Sequence, residues 1–221
     1  YGPTRKFCDS TLKQFGVTTT YYDPLIGGDI GKLMRPNTTA VFCESPGSLT
    51  FEMQDIPAIA EVAHAKGAVV LADNTWAGPL YCRALEKGVD LSIQSGTKYI
   101  GGHSDLMLGT VSANQQTVQR LKDTAYGMGL CVGPDDMNLG LRGLRTLAVR
   151  LARHYQSGVT VAKWFEQRPE VLKVFHPALP SHPGHAIWKR DYTGACGLFA
   201  IVLKPVPEKA VLAFLNGLSL Y

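Results

Sequence analysis

The residues best suited to chemistry lie between Asp90 and Ser104. In this run, Ser95 and Thr97 come shortly before Lys98, and a pair of glycines follows at 101–102. Hydroxyl groups can donate to phosphate oxygens, while a neighbouring lysine amine can attack an aldehyde. Such a lysine must be neutral for part of the time, and partial burial or a nearby cation lowers its pKa enough for that. The spacing predicts a site that holds an anion beside a nucleophilic amine, although by itself it also fits a solvated loop lysine.

A second candidate, Asp73, directly follows the apolar run at residues 68–72. A carboxylate at the end of a buried strand is costly unless it meets a cation or hydrogen-bond donors. The same pattern is typical of a turn or a helix cap. The residue types alone therefore leave two interpretations, an anion that meets a cationic ligand and a turn former.

The elements that must position these residues follow a strand, helix, strand order. Apolar runs at 17–22, 39–43 and 68–72 predict buried strands, and Asp55-Ile56-Pro57 marks the start of a helix between the last two. This order predicts an α/β architecture with a mostly parallel sheet. Ligands in such sheets gather at the carboxyl ends of the strands, so the site is expected at that edge.

A long stretch with helical spacing follows at 134–167, and strand-like runs at 171–175 and 197–203 come after it. We expect a change of domain inside the helical stretch. The predicted organisation is a partial catalytic domain over 1–145 and a partial, smaller α+β C-terminal domain over 146–221.

Composition narrows the function classes. The chain has 221 residues, 45% of them hydrophobic, and a formal net charge of +4 that is spread along the sequence, which gives no support to a nucleic-acid surface. No run approaches the roughly 20 apolar residues of a membrane span, so we expect no membrane partner. The five cysteines form no C-x-x-C pair, which favours reduced thiols and a cytoplasmic location.

Other motifs are weaker. His103-Ser104-Asp105 contains the residue types of a hydrolase triad, but adjacent side chains cannot aim at one another as a relay requires. His182 and His185 lack a third ligand nearby, so we expect no metal. Neither a dinucleotide-binding nor a Walker-type glycine loop is present.

The run from Asp90 to Ser104 resembles, position by position, the pyridoxal 5'-phosphate (PLP) attachment motif of the Cys/Met metabolism enzymes. Asp73-Asn74-Thr75, placed 25 residues before Lys98, resembles a second signature of that family, and the segment from Tyr1 to Phe7 resembles a third. The resemblance extends over the whole chain. It implies the aspartate aminotransferase-like fold, fold type I, with PLP as the cofactor.

The resemblance also assigns roles. It implies that Lys98 carries the cofactor and acts in catalysis, and that Asp73 pairs with the protonated pyridine nitrogen. Tyr1 is expected to stack on the cofactor ring and to take part in catalysis. Ser95 and Thr97 are expected to bind the phosphate.

Within the family, Trp76 and the segments 44–48, 102–105 and 188–194 resemble the cystathionine β-lyase branch. The γ-acting relatives usually carry Phe in place of Trp76. The resemblance implies β-elimination of L-cystathionine to homocysteine, pyruvate and ammonia in methionine biosynthesis, by a homotetramer. A γ-lyase, a γ-synthase, a cysteine desulfhydrase and a non-catalytic PLP-binding fragment remain alternatives.

Family members are usually longer than this chain. The preceding portion supplies a phosphate loop together with a Tyr and an Arg that reach the neighbouring subunit's cofactor, and the following portion supplies the arginine for the substrate carboxylate. We therefore expect the chain to be the central segment of a larger enzyme.

Overall fold

The computed structural model describes residues 1–220, and its main feature is a four-stranded sheet. The strands are β1 (Ala40–Glu44), β2 (Val69–Asp73), β3 (Leu91–Ser95) and β4 (Gly109–Ala113), adjacent in that order. β1, β2 and β3 are parallel to one another, whereas β4 is antiparallel to β3. The carboxyl ends of three strands therefore lie at one edge of the sheet.

Helices lie before, between and after these strands along the chain. The α-helices are α1 (Gly2–Phe7), α2 (Ile56–Ala65), α3 (Gly78–Tyr81), α4 (Val118–Gly127), α5 (Pro134–Glu166), α6 (His185–Asp191) and α7 (Glu208–Asn216). A π-helical stretch spans Cys8–Leu12, and 3-10 turns span Gly27–Lys32 and Ala84–Lys87. Within residues 1–220, none of these helices combines the length and the apolar character needed to cross a membrane.

Local sequence explains the start of α2, as predicted. The Asp55 carboxylate accepts a hydrogen bond from the Ala58 amide at 3.2 Å, which satisfies one of the free amides of the first turn. Buried residues of α2, including Ile59 and Ala63, pack on Val70 and its neighbours in the sheet. This packing holds α2 against β1 and β2.

The long helix α5 approaches the loop after β3 closely because of its glycines. A Cβ atom at Gly143 would lie 2.2 Å from the carbonyl oxygen of Ile100. Leu147 and Leu151 of the same helix belong to the main apolar core. α5 therefore supports the turn that carries Lys98.

A second, two-stranded antiparallel sheet pairs β5 (Val171–Phe175) with β6 (Ala200–Leu203). Its small core contains Ala162, Val174 and Leu179. The predicted domain boundary at residue 145 falls inside the continuous helix α5 and remains a prediction. Tyr221, the last residue of the predicted second domain, lies outside the described residues.

The strand predicted at 17–22 is wrong, because residues 17–23 are irregular and mostly exposed. Their side chains bond to other segments, but their backbone groups do not pair with a strand. The Tyr22 hydroxyl donates to the Phe42 carbonyl at 2.9 Å, and the Arg35 guanidinium donates to the hydroxyls of Thr18 and Thr20. A β-branched run forms a strand only where a neighbouring strand pairs with it.

Candidate active site

A cavity of about 950 Å³ opens at the carboxyl ends of β1, β2 and β3. Four of the five predicted site residues line it: Tyr1, Asp73, Thr97 and Lys98. Ser95, the fifth, is half-buried at the end of β3 and is not part of the lining formed by the described residues. The structure thus brings together an amine, a carboxylate, a hydroxyl and an aromatic ring.

Lys98 lies in a compact turn that follows β3. The Lys98 amide donates to the Ser95 carbonyl at 3.0 Å, and the Gly102 amide donates to the Lys98 carbonyl at 2.7 Å. Gly102 ends the turn with φ of +81°, a left-handed conformation that favours glycine. The Lys98 side chain is exposed, and its Nζ lies 5.2 Å from the centroid of the Tyr1 ring.

Asp73 ends β2, opposite Glu44 of β1. Its Oδ1 accepts a hydrogen bond from the Thr75 amide at 2.9 Å, and no Lys, Arg or His of residues 1–220 lies within 4.0 Å of its carboxylate. One oxygen of Asp73, Oδ1, therefore acts as the turn former that the residue types allowed. The Asp73 carboxyl group nevertheless lines the cavity and lacks a cationic partner among the described residues.

Hydroxyl groups connect the loops that carry these side chains. Thr75 accepts a hydrogen bond from the Ser95 amide at 2.9 Å, which ties the loop after β2 to the end of β3. The Thr97 hydroxyl accepts from the Leu108 amide at 2.9 Å and donates to the Leu108 carbonyl at a longer 3.3 Å. The long donor contact is the weaker of the two, so the Thr97 hydrogen can be redirected to an anion in the cavity.

Buried neighbours of the site stay protonated. Burial raises the pKa of the Tyr99 phenol far above its usual range, and burial also raises the pKa of the Cys196 thiol to about 11. Neither group can serve as a base near neutral pH. Lys98, whose exposed side chain lines the cavity, is better placed to carry a proton than either of these groups.

The residues present fit a PLP molecule. A cavity of this size holds a planar ring with a phosphate group. The free carboxylate of Asp73 matches a protonated pyridine nitrogen, Lys98 matches the aldehyde, and the exposed Tyr1 ring offers a flat surface. The donor set therefore agrees with the cofactor that the sequence predicts.

Glu44 and Ser48, which follow a predicted strand where the site was expected, also line the cavity, whereas the lining residues His154 and Leu198 were missed at the sequence level. The Trp76 indole nitrogen donates to the Leu198 carbonyl at 2.9 Å, across a separation of 122 residues. Nothing in the sequence around Leu198 indicates that it lines the cavity.

The weaker motifs do not form sites. His103 Nδ1 bonds to the Gly101 carbonyl at 2.9 Å, and Asp105 pairs with Arg142 at 3.0 Å, so neither faces the other as in a triad. His185 Nδ1 bonds to the Pro177 carbonyl at 3.0 Å. Within residues 1–220, no group of three or more His, Cys, Asp or Glu side chains is arranged to hold a metal.

Comparisons with known proteins agree with this geometry. A relative from Rhizobium johnstonii is 55% identical over 225 residues, which cover 100% of this chain and 57% of the relative. The cystathionine β-lyase of Salmonella typhimurium is 48% identical over 224 residues, with the same two coverages. The chain thus spans less than two thirds of the length of these relatives.

The crystal structure of cystathionine γ-lyase from Lactobacillus plantarum complexed with L-serine matches with a TM-score of 0.89 and 30% identity. The match covers 93% of this chain and 54% of that chain, and it confirms the predicted fold. The sequence pattern described as "Cys/Met metabolism PLP-dependent enzyme" matches residues 1–221. The chain therefore belongs to the Cys/Met metabolism family of PLP-dependent enzymes.

Proposed function

We propose that the whole protein is a PLP-dependent carbon–sulfur β-lyase that splits L-cystathionine into homocysteine, pyruvate and ammonia. The observation that carries the proposal is the cavity that joins Lys98, Asp73 and Tyr1. The similarity of the full chain to the Salmonella typhimurium cystathionine β-lyase supports the choice of reaction.

When bound, PLP supplies an electron sink for negative charge at the substrate Cα. Lys98 would hold the cofactor aldehyde, and its Nζ, once released by the substrate amine, would accept the proton from Cα. The Cβ–S bond then breaks with its electron pair on sulfur, and the Lys98 Nζ–H returns a proton to the departing thiolate. One tethered amine can serve both steps because it stays beside both atoms.

The other residues bind and orient. The Asp73 carboxylate would keep the pyridine nitrogen protonated, because a pair of opposite charges favours the charged form of both partners. Tyr1 lies beside Lys98, and its ring would stack on the cofactor. Thr97 would donate to the phosphate from the cavity wall, and Ser95, at the end of β3, would be a second phosphate ligand.

Two features favour β-cleavage over γ-cleavage. Over the full chain, identity to the Salmonella typhimurium β-lyase is 48%, against 35% to the cystathionine γ-lyase of Mus musculus. The Trp76 indole also holds the Leu198 carbonyl at the cavity wall, and the Phe usual in γ-acting relatives has no N–H for this contact.

We further propose that the whole protein is a cytoplasmic homotetramer. Large apolar side chains such as Phe15, Leu25 and Tyr126 are 80%, 66% and 78% exposed, an amount of apolar surface that favours cover by further chain or by other copies. The five free cysteines favour a reducing compartment. Light scattering of the full-length protein tests the assembly.

The test of function is a product assay on the full-length protein with cystathionine. Pyruvate with homocysteine supports the proposal, whereas 2-oxobutyrate with cysteine would assign γ-cleavage. Asp73→Asn keeps an acceptor for the Thr75 amide but removes the charge, so we expect pyruvate release to fall about 100-fold or more. Asp29→Asn, on an exposed 3-10 turn, is the matched control and should retain activity.

A further inference from the structure

The turn that carries Lys98 leaves backbone carbonyls without partners in the turn itself. Its internal hydrogen bonds join Lys98 to Ser95, Gly101 to Gly96 and Gly102 to Lys98. The carbonyls of Tyr99 and Ile100 lie at its end, as the last carbonyls of a helix do. Such groups need an outside donor, because an unpaired buried carbonyl is costly.

Arg150 of α5 is that donor. Its Nη1 donates to the Tyr99 carbonyl at 2.8 Å, and its Nη2 donates to the Ile100 carbonyl at 3.2 Å. Nη2 also donates to the Gly143 carbonyl at 2.7 Å. The guanidinium therefore ties the turn to its own helix.

The guanidinium is itself held in one orientation. Arg150 Nε donates to the Thr146 hydroxyl at 3.0 Å, one helical turn before it. Gly102 leaves the space that the guanidinium fills, since a Cβ there would lie 2.2 Å from Nη1. No carboxylate of residues 1–220 pairs with Arg150, so its contacts with the backbone are not shared with an ion pair.

We propose that Arg150 is a positioning residue for Lys98: it clamps the Tyr99 and Ile100 carbonyls and so fixes the direction in which the lysine enters the cavity. This rests on the proposed role of Lys98 as carrier of the cofactor and of the proton. A planar fork with fixed donors suits two adjacent carbonyls, whereas a lysine ammonium is a single flexible point charge.

The experiment compares Arg150→Met, Arg150→Lys and Arg153→Met in the full-length protein. Arg153 lies on the same helix, is exposed, and makes no hydrogen bond or ion pair with the described residues. Each variant is loaded with PLP, and borohydride is added at timed intervals to measure how fast Lys98 acquires a pyridoxyl group. Melting temperature, kcat and KM for pyruvate release are measured on the same preparations.

For Arg150→Met we expect Lys98 labelling and kcat to fall about 10- to 100-fold, with KM within about threefold, because the lysine is displaced while substrate contacts remain. For Arg150→Lys, the labelling rate and kcat should lie between those of Arg150→Met and those of the parent. For Arg153→Met, both should match the parent. Unchanged labelling per folded molecule in Arg150→Met would overturn the proposal, as would an equal loss in Arg153→Met. If the proposed reaction is wrong, the parent releases no pyruvate while the labelling difference persists.

Discussion

The contact between α5 and the lysine turn can be tested with one methyl group at Gly143. In Gly143→Ala, the new Cβ would lie 2.2 Å from the Ile100 carbonyl oxygen and 2.4 Å from that of Gly101. Both obstacles are backbone atoms, so no side-chain rotation relieves the overlap. Ordinary contact begins at 3.4 Å, so the helix and the turn must separate by about 1.2 Å from the first oxygen.

This displacement has two measurable effects. Overpacking typically costs about 1–3 kcal/mol, and the backbone location favours the upper end. Alanine in a helix recovers about 1 kcal/mol, which leaves a net loss of about 2 kcal/mol in the free energy of unfolding. A shift of about 1 Å at a catalytic group can also slow turnover about 100-fold.

The assay combines urea denaturation with pyruvate release in the full-length protein. Gly127→Ala is the matched control, because Gly127 also lies in a helix and its added Cβ meets nothing within 4 Å. The control should be as stable as the parent or more stable. A Gly143→Ala protein with parental stability and turnover would refute the packing argument.

Two further predictions concern pH. Burial lowers the pKa of His176 to about 4, helped by repulsion from His182. The unfolded chain therefore binds a proton near pH 6.5 that the folded chain does not bind. The free energy of unfolding should fall by about 3 kcal/mol from pH 7 to pH 4. His176→Leu should flatten that slope in urea denaturation, and an unchanged slope would contradict the assignment. Burial raises the pKa of Asp90, but hydrogen bonds from the Val70 amide, His64 and Asn114 outweigh it and lower the pKa overall. The stabilisation by Asp90 is therefore present above pH 4 and lost as the pH falls through the lowered pKa. The difference in unfolding free energy between the parent and Asp90→Asn should shrink in acid, and a constant difference would count against these hydrogen bonds to the Asp90 carboxylate.

The sequence predicts much of the sheet because its signals are local. The runs 39–43 and 68–72 become β1 and β2 with shifts of one residue, and the Asp55 cap starts α2. Residues 17–22 have the same strand propensity, but no strand pairs with their backbone. Propensity cannot show whether a partner strand is present.

The sequence likewise predicts some residues of the candidate site and not others. Lys98, Asp73 and Thr97 follow strands, so the rule for carboxyl ends places them together. Ser95 obeys the same rule but ends half-buried outside the lining, because side chains alternate in direction along a strand. The contact from Arg150 to Tyr99 spans 51 residues between a helix and a turn, which periodicity does not reveal.

The attachment of the cofactor is the central claim, and it can be measured directly. Full-length protein is loaded with PLP, reduced with borohydride, and digested for peptide mapping. The position of Lys98 beside Tyr1, in the cavity that Asp73 also lines, predicts that the pyridoxyl group is found on Lys98. A pyridoxyl group on any other lysine, with Lys98 unmodified, would contradict it.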